Sequence, residues 1–175
     1  MADDRPLERD DSVGQFPGEF GVPVSIPQAQ IVYDDLAFAF DQFLVFDVGF
    51  FVTLRVLHRS PRVDSHYSDL VESFFGGPDR MAYSKRFRWG IQLADGRRGY
   101  GMPMQQSDAD FAIGGRGGGG DSVMSEYRFW VHASPMAEMT FFVGWPARGL
   151  AERSLLIDSS ALVEASTVDT RIASW

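Results

Sequence analysis

The chain has 175 residues, 45% hydrophobic and 14% aromatic, with fifteen Phe and four Trp. That length and composition suit one folded domain with an aromatic core and exclude a wholly disordered chain. The net charge of -8, with Lys85 as the sole Lys, opposes binding to nucleic acid or to an anionic membrane surface, and the absence of Cys excludes disulfides, thiolate nucleophiles and Cys-ligated metals.

Residues 1–20 are charge-rich and interrupted by Pro and Gly, the texture of an acidic disordered tail. The opening "MADDRPLERDDSVG" has neither the basic nor the apolar region of a leader peptide, so a cytoplasmic protein is expected. The longest apolar stretch, Phe43 to Val52, is broken by Asp47 and is too short to span a bilayer. One domain is expected over residues 21–175.

Pro23 and Pro27 suit a sheet edge at the start of this domain. "LAFAFDQFLVFDVGFFVTLRVLHRS" follows. Its apolar residues, with Val52, Leu54 and Val56 alternating with Thr53 and Arg55, predict two strands joined by a turn at 47–49. Gly49 is expected to supply a positive φ there. Residues 59–84 form a long connection in which "SDLVESFF" predicts a short helix ending at Gly76. In "KRFRWGIQLADGRRGYG", Phe87, Trp89, Ile91 and Leu93 alternate with Arg86, Arg88, Gly90 and Gln92, and the Asp-Gly pair signals a hairpin. Residues 102–122 are polar and glycine-rich and are expected to be a slack loop. "SEYRFWVHAS" and "AEMTFFVGWP" predict two more strands, and "RSLLIDSS" another. At the C-terminus Leu162, Ala165, Val168, Ile172 and Trp175 mark one face of a helix over about 159–175, with Asp158, Ser159 or Ser160 as its N-cap. Many short strands without strand–helix alternation predict a mainly β fold, an antiparallel β-sandwich carrying one C-terminal helix.

Six segments, "GEFGVPV", "LAFAFDQFLVF", "FRWGIQLADGRR", "GGRGGGG", "YRFWVHASP" and "FFVGWPARGL", occur in this order. Together they resemble a family of actinobacterial proteins with an F-x-D-G-R turn, a glycine run, a Trp-rich strand and a W-P-A-x-G segment. The resemblance covers roughly residues 18–175. It departs at "HAS", 132–134, where members are richer in Pro and Trp. The family has no assigned activity, so the resemblance implies an actinobacterial source and no catalytic residue.

Gly115 and Gly120 have the spacing of a phosphate-binding loop, but the next residues are Asp121 and Ser122 where Lys and Ser or Thr are needed. An Asp there repels phosphate, and a strand pattern follows in place of a helix. Asp108, Asp110 and Asp121 are the only candidate calcium ligands near the run, and six glycines give them no shaped loop. His58, His66 and His132 form no metal-binding motif, and each reads as a half-exposed structural residue. No Ser lies in a G-x-S-x-G elbow. Asp34 and Asp35 read as solvated turn charges. No metal or cofactor is expected.

The remaining feature is cationic. With the apolar faces turned inward, Arg55, Arg86, Arg88, Arg128 and Trp130 point outward, a combination suited to an acidic partner if the strands are neighbours. Pairing with nearby Asp and Glu is the competing role for these arginines. The expected function is a non-enzymatic protein-interaction module, binding a partner protein or a second copy. The alternative is a small-molecule binder or hydrolase with a pocket under the 102–122 loop.

Overall fold

The computed structural model describes residues 21–27, 29–59, 83–101, 111–121 and 123–168. The expected tail at 1–20, the helix ending at Gly76, and the loop residues 102–110 lie outside the described residues.

Among the described residues ten strands form two antiparallel sheets. The first sheet contains β1 (Val22–Val24), β2 (Gln30–Val32), β3 (Leu36–Phe46), β4 (Gly49–His58), β7 (Ala112–Gly120) and β8 (Met124–His132). Its order is β1-β3-β4-β8-β7, with β2 also paired to β3. The second sheet contains β5 (Arg88–Leu93), β6 (Arg98–Gly101), β9 (Glu138–Trp145) and β10 (Leu150–Asp158), in the order β10-β9-β5-β6. The β-sandwich read from the alternation is therefore the observed fold.

The β3–β4 hairpin turns on Asp47 and Val48, with Phe46 opposite Gly49. Gly49 has the expected positive φ, 159°, a backbone conformation that residues with side chains rarely adopt. Glycine is needed there for another reason: a Cβ would press on the Val131 carbonyl of the neighbouring strand. In the β5–β6 hairpin Gly96 adopts a left-handed φ of 90°, and Leu93 and Arg97 close the turn with an N–H···O bond of 2.9 Å.

Period-2 alternation fills the space between the sheets. Phe38, Phe40, Phe43, Val52, Leu54 and Phe129 face Phe87, Trp89, Ile91, Phe141 and Trp145, all buried. Rings from the two sheets touch directly: Phe38 stacks on Phe87 at 5.2 Å, and Trp89 meets Phe129 edge-on at 4.5 Å.

A bulge between Asp41 and Leu44 keeps this alternation in step along β3. Phe40 and Phe43 both face inward across it. The irregularity is taken up at Gln42, whose φ of 50° lies in the left-handed region.

Helix α1 spans Ser160–Ser166 and is shorter than the expected 159–175. Leu162 and Ala165 are buried against β1 and β3, as the helical face requires, but Val168 is 54% exposed. Ile172 and Trp175 lie outside the described residues. Ser159 is the N-cap residue, yet its hydroxyl donates to the Met136 carbonyl at 2.6 Å. The Asp158 carboxylate instead accepts the Ser160 N–H at 3.1 Å. At the other end the Ser166 and Thr167 hydroxyls donate to the Val163 and Glu164 carbonyls, each at 2.7 Å. Such side-chain bonds compete with continuation of the helix.

Candidate binding site at the glycine-rich sheet edge

The glycine run is a strand. The expected slack loop is corrected over Ala112–Gly120, which pairs along its length with β8 and forms the last strand of the first sheet. Glycine has low strand propensity, but a complete ladder with β8 overrides it. Two positions explain why glycine is required. A Cβ on Gly118 would strike Tyr127 and the Glu126 carbonyl, and one on Gly120 would strike the Met124 carbonyl and Ser125. Both are exposed glycines whose Cβ would run into the neighbouring strand β8. Gly117 and Gly119 face outward, where a Cβ would meet nothing within 4 Å. A bulge at Arg116 separates Gly115 from Gly117, and Gly117 takes a φ of 130°.

The hairpin from β7 to β8 is held by Asp121. Its carboxylate accepts the Val123 and Met124 N–H groups at 2.8 and 2.9 Å. These two bonds hold its carboxyl below the usual carboxylate range, Met124 contributing most. The residue that spoils the phosphate-loop pattern thus builds a turn. Asp108 and Asp110 lie outside the described residues, and among the described residues no group of three or more His, Asp or Glu is placed to hold a metal.

The structure divides the five expected binding residues. Arg55 and Arg128 point from β4 and β8 onto the outer face of the first sheet, two strands that are directly paired. Arg88 lies in β5 of the other sheet and is half-buried, its Nε without a hydrogen-bond partner among the described residues. Stacked sheets lie about 10 Å apart, so Arg88 cannot join Arg55 and Arg128 in one patch. Arg86 is not outward at all: it is 1% exposed. It precedes β5 and follows a 3-10 turn at Tyr83–Lys85, so strand alternation does not extend to it.

Trp130 shares the outer face with Arg128 but is 8% exposed, packed with Leu44, Phe46 and Phe51 in a second apolar cluster. Its ring lies 4.9 Å from Phe51 and 5.6 Å from Phe46. It supports the outer face and does not offer a free aromatic surface. His58 is likewise buried, whereas His132 is exposed at the end of β8, and His66 lies outside the described residues.

On the outer face Arg55 is neutralised from both sides. Its guanidinium contacts Asp41 at 3.0 Å and also pairs with Glu126. Burial raises the Asp41 pKa above its ordinary value; Arg55 opposes this and Glu126 adds to it. Arg128 is exposed, and it has no hydrogen bond or ion pair among the described residues. A depression of about 500 Å³ lies beside it, floored by Gly117–Gly120 and walled by Gln42, Thr53, Glu126 and Arg128. Thr53 donates to Gln42 Oε1 at 3.3 Å. The depression exists because the outward glycines have no side chains to fill it. Gln42, Thr53 and Glu126 escaped the sequence reading. Their only sequence signal is the shared alternation with Arg55 and Arg128, and the strand register needed to use it is non-local.

Two other cavities are lined by residues around Tyr33. One of about 570 Å³ is lined mainly by Val32, Tyr33, Leu36, Ala37, Leu57 and His58. A smaller one of about 280 Å³ lies between Asp34, Asp35, Leu150 and Arg153. The Tyr33 hydroxyl, which lines both, is already committed: it donates to the Ala151 carbonyl at 2.6 Å. Residues 102–110 and 122 of the segment expected to cover a pocket lie outside the described residues.

No helix among the described residues is long and apolar enough to cross a membrane. Comparison of the chain with protein-family models, with curated proteins and with solved structures gives no match.

Proposed function

We propose that the protein is a non-enzymatic interaction module whose binding surface is the outer face and free edge of β7. The observation that carries this reading is the juxtaposition at that edge. Residues 116–120 are exposed, β7 ends the sheet order, and the unpaired Arg128 stands beside a depression floored by glycine. Soluble proteins usually guard an edge strand with lysines, prolines or a covering element. Among the described residues Gly117–Gly120 offers bare backbone, with a bulge at Arg116 beside it. The surface suits a polypeptide partner better than a small molecule, because it is shallow and carries charges of both signs.

The test is affinity capture from cells that express the protein, with wild type beside Arg128→Ala, followed by reconstitution from purified components. The expected result is a retained polypeptide that forms a stoichiometric complex with wild type and a weaker one with the folded variant. A partner bound equally by both, or no partner that reconstitutes, overturns the reading.

A further inference from the structure

We infer that β7 takes an extended partner segment as an added strand, and that this segment carries a carboxylate side chain opposite Gly117; the inference rests on the interaction-module reading above. Strand addition uses main-chain hydrogen bonds for affinity and alternate side chains for specificity. Both components have a place here.

The main-chain component is the outer edge of Gly117–Gly120. This is the stretch beyond the Arg116 bulge, beginning at Gly117 with its φ of 130° and paired on one side to Arg128, Tyr127, Glu126 and Ser125. Among the described residues the strand order leaves its other side as the margin of the sheet. With glycine at all four positions, no side chain of β7 covers the sheet face beside that edge.

The side-chain component follows from the register. Gly117 is directly opposite Arg128, and Gly119 is directly opposite Glu126. All four positions face outward. An added strand would lie two inter-strand spacings from β8, about 9.6 Å. A side chain on β7 would normally fill that gap. With glycine between them, a partner Glu can reach over Gly117 to the Arg128 guanidinium, within the depression. The position opposite Gly119 meets Glu126, whose charge Arg55 already shares. It therefore favours a basic or neutral residue. The ligand that fits is a β-strand former with an acidic residue and a basic residue two positions apart.

A second copy of this chain fits less well. Its own β7 offers no free carboxylate, because Asp121 is committed to the turn amides. Two chains of net charge -8 also repel.

The probe is a fluorescent ten-residue peptide of alternating Val and polar residues, with Lys and Glu two positions apart, and its twin with Gln for Glu. Anisotropy titration should show the Glu peptide binding wild type about fivefold more tightly than the Gln twin, the scale of one exposed ion pair. Arg128→Gln should bring the two peptides within about twofold of each other. The Glu peptide with its backbone amides N-methylated keeps its side chains but cannot complete a main-chain ladder, so it should not bind wild type. Equal affinity of the two peptides for wild type, undiminished binding of the N-methylated peptide, or no binding of any peptide overturns the inference. If the peptides fail while a captured partner still reconstitutes, strand addition falls and the interaction-module reading stands.

Discussion

Asp121 shows how one side chain can settle the meaning of a motif. In a phosphate-binding loop its position would hold a Lys; here two backbone amides donate to its carboxylate. The acid limb of stability should report this. The folded-state pKa is lowered from the ordinary 3.8, so the contribution of Asp121 is fully present above that value. It is lost as pH falls through the lowered folded pKa. Asp41 has the opposite sign: burial raises its folded pKa, so its share of stability falls as pH rises from 3.8 through the raised value. Asp121→Ala should therefore lower stability at neutral pH, with the gap to wild type closing as pH falls below 3.8 through the lowered folded value. Urea denaturation of both proteins across that range checks it. A gap that stays constant with pH would show that the bonds do not depend on the ionised carboxylate.

At the scale of the element, β7 separates glycines that are required from glycines that are tolerated. A Cβ on Gly118 would run into Tyr127 and the Glu126 carbonyl of β8, whereas Gly119 faces open space. Gly118→Ala should cost about 1–3 kcal/mol, because overpacked backbone must shift. Gly119→Ala should raise stability by about 0.4–1 kcal/mol by restricting the unfolded chain. Denaturant midpoints of the two variants check this, and similar effects of both would mean that β7 is not registered on β8 as described. The same strand marks where the sequence ceased to be legible. Phe87, Trp89, Ile91 and Leu93 announce β5 because large residues display the period, and the Asp-Gly pair announces its turn. A glycine run displays no period. Its strand exists only through the ladder with β8, which is a property of two segments together. Arg86 failed for a related reason: the alternation was carried two residues beyond the start of β5, into backbone that is not strand.

At the scale of the whole molecule, fold class was legible and the candidate site was not. Alternating strands with turns between them suffice for a sandwich, since each must bury one face. Which strands become neighbours is decided by long-range packing. It puts Arg55 beside Arg128 and sends Arg88 to the other sheet. The closure of the two sheets shows the same dependence on distant partners. Tyr33, between β2 and β3, reaches the other sheet with its hydroxyl. It donates to the Ala151 carbonyl at 2.6 Å, and the Val143 carbonyl lies 3.2 Å away. Its ring is held edge-on by Phe38 at 5.9 Å and covered by the Arg153 guanidinium at 4.3 Å. Arg153 in turn donates to the Val32 carbonyl, giving a second tie from β10 to β2. Burial raises the Tyr33 pKa above its ordinary value, so the hydroxyl keeps its proton and remains a donor at neutral pH. Tyr33→Phe preserves both ring contacts and removes only this donor, so it should cost about 1 kcal/mol. The loss should be the same at neutral and mildly acidic pH, because no group changes charge. Urea denaturation measures the cost, and hydrogen exchange locates it. Faster exchange confined to β2 and β10 would show that this edge opens first. A variant as stable as wild type would mean that the hydroxyl is not a tie between the sheets, leaving Arg153 and the packed rings to close that side.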